Sequence, residues 1–197
     1  MLRRAELRHV DAGRASKATI ETTIIRDTKP ESSTNQAGYG VKATRSDVQL
    51  RGALVERNRA FGVALAGSKV TIDGTVVRDT SWLGANGPGM GIVAMPDAGD
   101  AIELSLRRSL IERNMSASLV TRSARAGVGA FGDTAISLAS TTLSCNAIDL
   151  IAVAYEGTPT FDSGGDTNTC GCDTRVRCKA ASGELTPIAP DPPAPTG

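Results

Sequence analysis

An eleven-residue layout, Val70-Thr-Ile-Asp-Gly-Thr-Val-Val-Arg-Asp-Thr80, recurs at Ala18–Thr28, Val48–Asn58, Leu104–Asn114 and Ile136–Asn146. A chain that repeats one short apolar and polar register this often has to stack the copies, because no single copy can bury its own apolar face. The third position is always a large aliphatic (Ile20, Leu50, Ile72, Leu106, Leu138), and so is the eighth (Ile25, Val55, Val77, Ile111, Leu143). Both columns are expected to point inward. The last position holds only Thr or Asn (Thr28, Asn58, Thr80, Asn114, Asn146). These short side chains hydrogen-bond backbone at a bend and, for Asn, tolerate the left-handed region, so a polar ladder inside a turn is expected there.

Between the apolar columns lie charges whose sign alternates from copy to copy. One column reads Arg26, Glu56, Arg78, Glu112, the next Asp27, Arg57, Asp79, Arg113, and a third Glu21, Arg51, Asp73, Arg107. If each copy sits on the one before at the spacing of neighbouring strands, about 4.8 Å, every charge meets its opposite above and below. A helical repeat gives no reason for three columns to alternate together. An exposed pair is worth only about 0.2–1 kcal/mol, so these columns set register while the aliphatic columns supply stability.

After each ladder residue a further strand opens on a small residue: Gly40-Val41, Gly62-Val63, Gly91-Ile92, Ser118-Leu119 and Ala147-Ile148. A coil therefore has three short strands, and the uninterrupted one from Asn58 to Thr80 takes 22 residues. The other coils carry insertions at two corners only: 29–39 and 81–90 just after the ladder, 96–100 and roughly 122–133 at the next. Insertions grouped on one side of a solenoid commonly build its binding face.

Composition excludes several classes. Only 3% of residues are aromatic, too few for an ordinary globular core but suited to layers of small aliphatics, and the net charge of +1 gives no basic field for nucleic acid. No run of about 18 apolar residues is present, so no membrane span is expected. The start, Met-Leu-Arg-Arg-Ala-Glu-Leu-Arg, has no signal-peptide core. Leu2 and Ala5 fall in repeat columns, so the chain is expected to begin partway through a coil, with further coils or a cap ahead of Met1.

Beyond residue 155 the pattern changes. We divide the chain into a solenoid over 1–155, a Cys-rich capping segment over 156–186, and a Pro-rich tail over 187–197 that cannot bury enough to fold. Cys145 occupies the column of Asp27, Arg57, Asp79 and Arg113 and should face outward, within reach of Cys170, Cys172 or Cys178. We expect one disulfide from Cys145 to the tail and a second within it. The alternative is zinc, although Cys-x-Cys departs from the usual Cys-x2–4-Cys pairs. An even cysteine count favours an oxidising compartment, and hence a secreted or cell-surface protein.

The run Val-x-Ile-x-Gly-Thr-Val-Val-x-x-Thr followed by Gly-Val resembles the right-handed parallel β-helix domains of the pectate-lyase-like superfamily. The likeness covers about residues 2–155 and implies an all-β, right-handed, single-stranded parallel β-helix of about six coils with a Cys-rich C-terminal cap. Members include polysaccharide lyases and hydrolases, phage tailspikes and bacterial surface proteins, so the fold leaves activity open. The family's enzymes use acidic calcium ligands, acid/base pairs or a basic proton abstractor on one sheet face. None of those constellations matches this chain.

Each candidate site has a structural reading beside the functional one. Asp27 and Asp79 read as members of the ion-pair columns. Asp97 and Asp100, in Pro96-Asp-Ala-Gly-Asp, make a polar turn or else bind calcium or act as reacting carboxylates; Asp162, Asp166 and Asp173 raise the same choice. No other metal or cofactor is expected. His9 is the only histidine, which leaves no Ser-His-Asp triad elsewhere. Tyr39 and Trp82 either stack on a sugar ring or cover the adjacent sheet. Gly84–Gly91 lacks the following Lys-Ser/Thr of a phosphate loop. The expected role is a non-catalytic extracellular or cell-surface scaffold, adhesin-like, with a polysaccharide or cell-surface glycan as partner. The alternative is a polysaccharide lyase or glycoside hydrolase working in a groove along one sheet.

Overall fold

The computed structural model describes residues 5–7, 10–29, 38–81, 89–97, 99–114, 126–146, 148–154, 157–162, 167–171 and 180–182. They form three all-parallel sheets running the length of a solenoid, with no helix among the described residues. Sheet A stacks Ala5–Leu7, Thr23–Arg26, Leu54–Glu56, Val76–Arg78, Leu110–Glu112, Thr142–Ser144 and Thr169–Cys170. Sheet B stacks Val10–Ala12, Val41–Thr44, Phe61–Ala66, Met90–Met95, Ala126–Phe131, Ile148–Val153 and Ala180–Ser182. Sheet C stacks Lys17–Glu21, Asp47–Arg51, Lys69–Asp73, Ile102–Arg107, Thr134–Ala139 and Thr160–Asp162. The chain visits B, C and A in turn, so each coil contributes one strand to every sheet. All three sheets run on past residue 155.

Equivalent residues ride over one another as the repeat predicts. Leu50 pairs with Ile72 and Leu106, one coil on, pairs with both Ile72 and Leu138. The two aliphatic columns fill the bore: Ile25, Val55, Val77, Ile111 and Leu143 are fully buried on sheet A, and Leu50, Ile72 and Leu106 nearly so on sheet C. Sheet B closes the third side with Val41, Val63, Ile92 and Val128. Each such side chain is worth about 1.5–3 kcal/mol on burial, several times an exposed ion pair, so the bore holds the solenoid together.

Most corners are short bends in which a residue at positive φ precedes a small residue, usually a polar one. At the A-to-B corner the positive-φ residues are Asp27, Arg57, Asp79, Arg113 and Cys145, with φ between 49° and 58°. The left-handed conformation thus falls on the charged residue before the ladder and not on the ladder Asn, a correction to the expectation from Asn's tolerance. The reason is division of labour. The bend needs one left-handed residue whose side chain leaves the bore, and the next residue must point in to hold the backbone. Asn58 accepts from the Thr28 N–H (3.3 Å), Asn114 from the Thr80 N–H (3.1 Å), and Asn146 from the Asn114 N–H (3.2 Å). Their amides donate back to Ile25 O, Val77 O and Ile111 O.

The other two corners repeat the device with hydroxyls and, at Asn168, with an amide. Between sheets C and A the Ala53 N–H donates to Thr75 Oγ1 (3.3 Å), Thr75 N–H to Ser109 Oγ (3.3 Å), and Thr141 N–H to Asn168 Oδ1 (2.9 Å). Between B and C, Ser46 N–H donates to Ser68 Oγ (3.2 Å). The fifth coil also differs from expectation. Its sheet B strand is Ala126–Phe131, not the run beginning at Ser118, which lies outside the described residues. Gly127 is what decides the placement: it takes the column of Gly40, Gly62 and Gly91, where an added Cβ would come within 2.8 Å of Asn146 Nδ2. The insertion in this coil therefore precedes residue 126.

Candidate functional site

The outer face of sheet C carries a trough. Strand register places three outward columns across it. Lys17, Asp47, Lys69 and Glu103 form one rim, a fourth alternating column that the eleven-residue layout leaves out because it lies just ahead of it. Thr19, Gln49, Thr71, Ser105, Ser137 and Asp162 run down the middle. Glu21, Arg51, Asp73 and Arg107 form the far rim. In the next coil both rims drop to Ala135 and Ala139, which deepens the trough into a groove of about 450 Å3 over Thr71, Ser105 and Ser137. A second hollow of about 410 Å3 continues it past Lys69 and Glu103 to Arg45 and Asp100.

The rims are closed electrostatically. Lys69 Nζ lies 2.6 Å from Glu103, and that hydrogen bond raises the lysine above its ordinary pKa. Arg51 lies 3.5 Å from Glu21. Asp73 is gripped at both oxygens by Arg108, from the C-to-A corner, rather than by Arg107 of its own column. Arg108 holds the Asp73 carboxyl below its ordinary pKa, against the opposing effect of burial. Arg107 instead donates from Nε to Ser105 Oγ at 3.2 Å, on the trough floor. Arg108 stands at the bend just past the strand, at φ 48°.

Asp97 and Asp100 stand on the B-to-C corner, beyond the Lys69–Glu103 rim, paired across a short antiparallel bridge. Arg45 Nε lies 3.1 Å from Asp97 Oδ2 and 2.9 Å from Asp100 Oδ2, and Arg45 Nη2 donates to Asp97 O. The Oδ2 atoms of the two carboxylates are thus no more than about 6 Å apart, an upper limit that admits the separation of about 5–5.5 Å used by retaining glycosidases. A guanidinium occupies the space between them, where a calcium ion or a glycosidic oxygen would have to sit. The donor set does not fit calcium, and the geometry is that of a clasp closing the 96–100 insertion onto the preceding coils. Among the described residues no group of three or more His, Cys, Asp or Glu side chains could hold a metal.

Tyr39 stacks on Phe61, with ring centroids 5.5 Å apart and planes 22° from parallel. Both pack against Ala64, Met90 and Val93 on the outer face of sheet B, away from the trough. One ring face of Tyr39 is therefore spent on covering the sheet. Trp82, Cys172, Cys178, Asp166 and Asp173 lie outside the described residues. Asp162 falls in the trough's middle column, beyond Ser137. Cys145 occupies the outward corner at φ 53°, as its column requires, while Cys170 continues the buried column above Leu143. No cysteine among the described residues is a free thiol.

The middle column is the feature that sequence reasoning missed. Its signal was present as an outward position that is Thr, Gln or Ser in five successive coils, while the attention of the repeat fell on its charged neighbours. No helix among the described residues is long and apolar enough to cross a membrane. No family model, curated protein or solved structure matches the chain.

Proposed function

We propose that the protein is a non-catalytic binding scaffold, a β-helix module of the extracellular or cell-surface kind whose sheet C trough takes an extended, hydroxyl-rich glycan. The observation that carries this reading is the row of Thr71, Ser105 and Ser137 hydroxyls, one per coil, between a rim where Lys69 pairs with Glu103 and a rim where Arg108 holds Asp73. A hydroxyl both donates and accepts, which suits a ligand made of hydroxyls. Rims that neutralise each other leave no net field to favour a polyanion. A repeating floor suits a repeating ligand. On this reading the floor of sheet C, rather than Tyr39 and Trp82, is the ligand site.

Affinity electrophoresis against neutral and acidic polysaccharides tests this. Retardation by a neutral polymer, lost in the Thr71→Ala/Ser105→Ala/Ser137→Ala variant, is expected; no retardation by any polymer overturns it. The enzymatic alternative has one observation in its favour, the closeness of Asp97 and Asp100 on the corner beside the trough. Reproducible polysaccharide cleavage that disappears in Asp97→Asn or Asp100→Asn would replace the first reading with that one.

Membership of the pectate-lyase-like superfamily, right-handed winding and the disulfide-tied cap belong to the same proposal. The Asn ladder at one corner supports the first, and the right-handedness of about 98% of parallel crossovers supports the second. For the cap, the absence of a free thiol among the described residues is the supporting fact. Non-reducing mass spectrometry after alkylation should find no modified cysteine; four alkylated cysteines or a stoichiometric zinc would remove both the cap and the argument for an oxidising compartment.

A further inference from the structure

The charge columns do not pair evenly along the solenoid. Counting coils from the sheet B strand Val10–Ala12, the first and second are joined by Asp27 with Arg57, both bonds at 2.9 Å, and by Glu21 with Arg51 at 3.5 Å. The third and fourth are joined by Asp79 with Arg113 at 2.9 and 3.2 Å, by Lys69 with Glu103, and by Asp73 with Arg108. A guanidinium that grips one carboxylate with both arms is turned away from the column neighbour on its other side. Between the second and third coils, neither Arg57 with Asp79 nor Arg51 with Asp73 forms an ion pair. Among the described residues Glu56 with Arg78, at 2.8 Å, is the ion pair that crosses there.

The amide ladder breaks at the same junction. Thr28, Thr80 and Asn114 each donate their N–H to an Asn side chain of the next coil, so the junction after the fourth coil keeps its rung although its charges are gone. Asn58 faces Thr80 instead, whose hydroxyl is set one bond nearer the backbone than an amide oxygen. Thr80 Oγ1 has no hydrogen-bond partner although the residue is only 1% exposed, and the Asn58 N–H has no acceptor among the described residues. The hydroxyl rungs from Ser46 to Ser68 and from Ala53 to Thr75 still cross.

One contact bridges this junction from outside. Arg45, on the B-to-C corner of the second coil, reaches over the third coil to Asp97 and Asp100 on the fourth. Gly67 is the third-coil residue beneath it. An added Cβ there would lie 2.9 Å from Asp100 Cβ and 3.4 Å from Arg45 Cγ, so a corner without a side chain is what lets the contact cross. We propose that the Arg45 clasp on Asp97 and Asp100 is a strap across the weakest seam of the first five coils, and that releasing it lets the solenoid open between the second and third coils. The first two coils then part from the remainder, which carries the groove over Thr71, Ser105 and Ser137. The strap does not rest on the glycan reading.

Native-state hydrogen exchange of the full chain, resolved by residue with NMR, reads the opening. The N–H groups of Gly52, Arg57 and Val76 bond across the seam, and those of Gly74 and Asp79 across the next junction. In Arg45→Gln the first set should exchange at least about tenfold faster than in wild type, and together, while the second set keeps wild-type rates. Asp97→Asn/Asp100→Asn frees the strap from its other end and should act alike, so the test survives if one variant misfolds by circular dichroism. Faster exchange confined to Asp97 and Asp100 would mean that the clasp only pins its own loop. That result, equal acceleration of both sets, or unchanged rates in both folded variants would each overturn the proposal.

Discussion

Asn114 serves three neighbours at one bend: its Oδ1 accepts from Thr80 N–H at 3.1 Å, and its Nδ2 donates to Val77 O at 3.2 Å and to Asn146 Oδ1 at 3.4 Å. It is wholly buried, so Asn114→Ala strands a backbone N–H and a carbonyl with no water to replace the amide, a loss of about 2–3 kcal/mol in chemical denaturation. Gly91 is fixed by the same amide, since a Cβ there would stand 2.6 Å from Asn114 Nδ2 and 2.8 Å from Gly127 O. Gly91→Ala should cost about 1–3 kcal/mol, and Gly91→Ala/Asn114→Ala less than the sum, because the second change relieves the first clash but not the second. Full additivity would mean that glycine and ladder are not coupled. Asp73 gives the pH counterpart. Its folded pKa is depressed by Arg108, so its stabilisation is complete above the unfolded value of about 3.9 and fades as pH falls through the lower folded value. The melting temperature of Asp73→Asn should therefore fall less than that of wild type on acidification below about pH 4; parallel curves would show the pairing to be energetically idle. The Asn ladder was legible because one column held only Thr and Asn. The hydroxyl ladder through Thr75, Ser109 and Thr141 was not, because Ala53 interrupts it and Ser and Thr are as common on any exposed strand.

Neighbouring strands of one sheet carry ion pairs of very different worth. Glu56 has a side chain only 5% exposed and takes Arg78 at 2.8 Å, Arg57 through Nη1, and Arg26 at 3.9 Å. Asp27 and Arg57 pair just as squarely, both bonds at 2.9 Å, but each side chain is about half exposed. Removing charge while keeping shape should separate them: Glu56→Gln is expected to cost about 1.5–3 kcal/mol, since it weakens charge-assisted bonds in a dry setting. Asp27→Asn, which keeps a residue tolerant of φ 58°, should cost no more than about 1 kcal/mol. Urea denaturation of the two variants measures this, and equal losses would mean that burial does not set the scale. The signs of these columns were readable in sequence because strands pair residue on residue. Which carboxylate is buried was not, since that depends on three arginines from three coils converging on one oxygen pair. The fifth-coil strand was misplaced for a related reason. Ser118-Leu119-Val120 imitates the short gap after Asn114 seen in the uninterrupted coil, whereas only the fit of Gly127 against Asn146 selects the true register.

Through the four coils that carry them the charge columns have a period of two coils while the bore has a period of one, and the difference can be measured. A second copy of residues 54–75 inserted after Thr75 adds one coil whose aliphatics continue every inward column. The copy of Glu56 would then lie on Glu56, Arg57 on Arg57, Lys69 on Lys69 and Asp73 on Asp73, four like-charge contacts at a single interface. A second copy of residues 54–109 inserted after Ser109 adds two coils and leaves every alternation intact. Both proteins gain buried core and both keep the ladders, so stability from the bore alone would rank them by length. Like charges directly opposite on adjacent strands are destabilising, and Arg57 and Lys69 are exposed while Glu56 is buried, so the share of the penalty at the exposed sites must shrink as salt screens it. The one-coil insertion should therefore melt below the two-coil insertion at low ionic strength by more than length accounts for, with the gap narrowing towards 1 M salt. If the gap is the same at both ionic strengths, the alternation is a by-product of the repeat and not the device that holds its register.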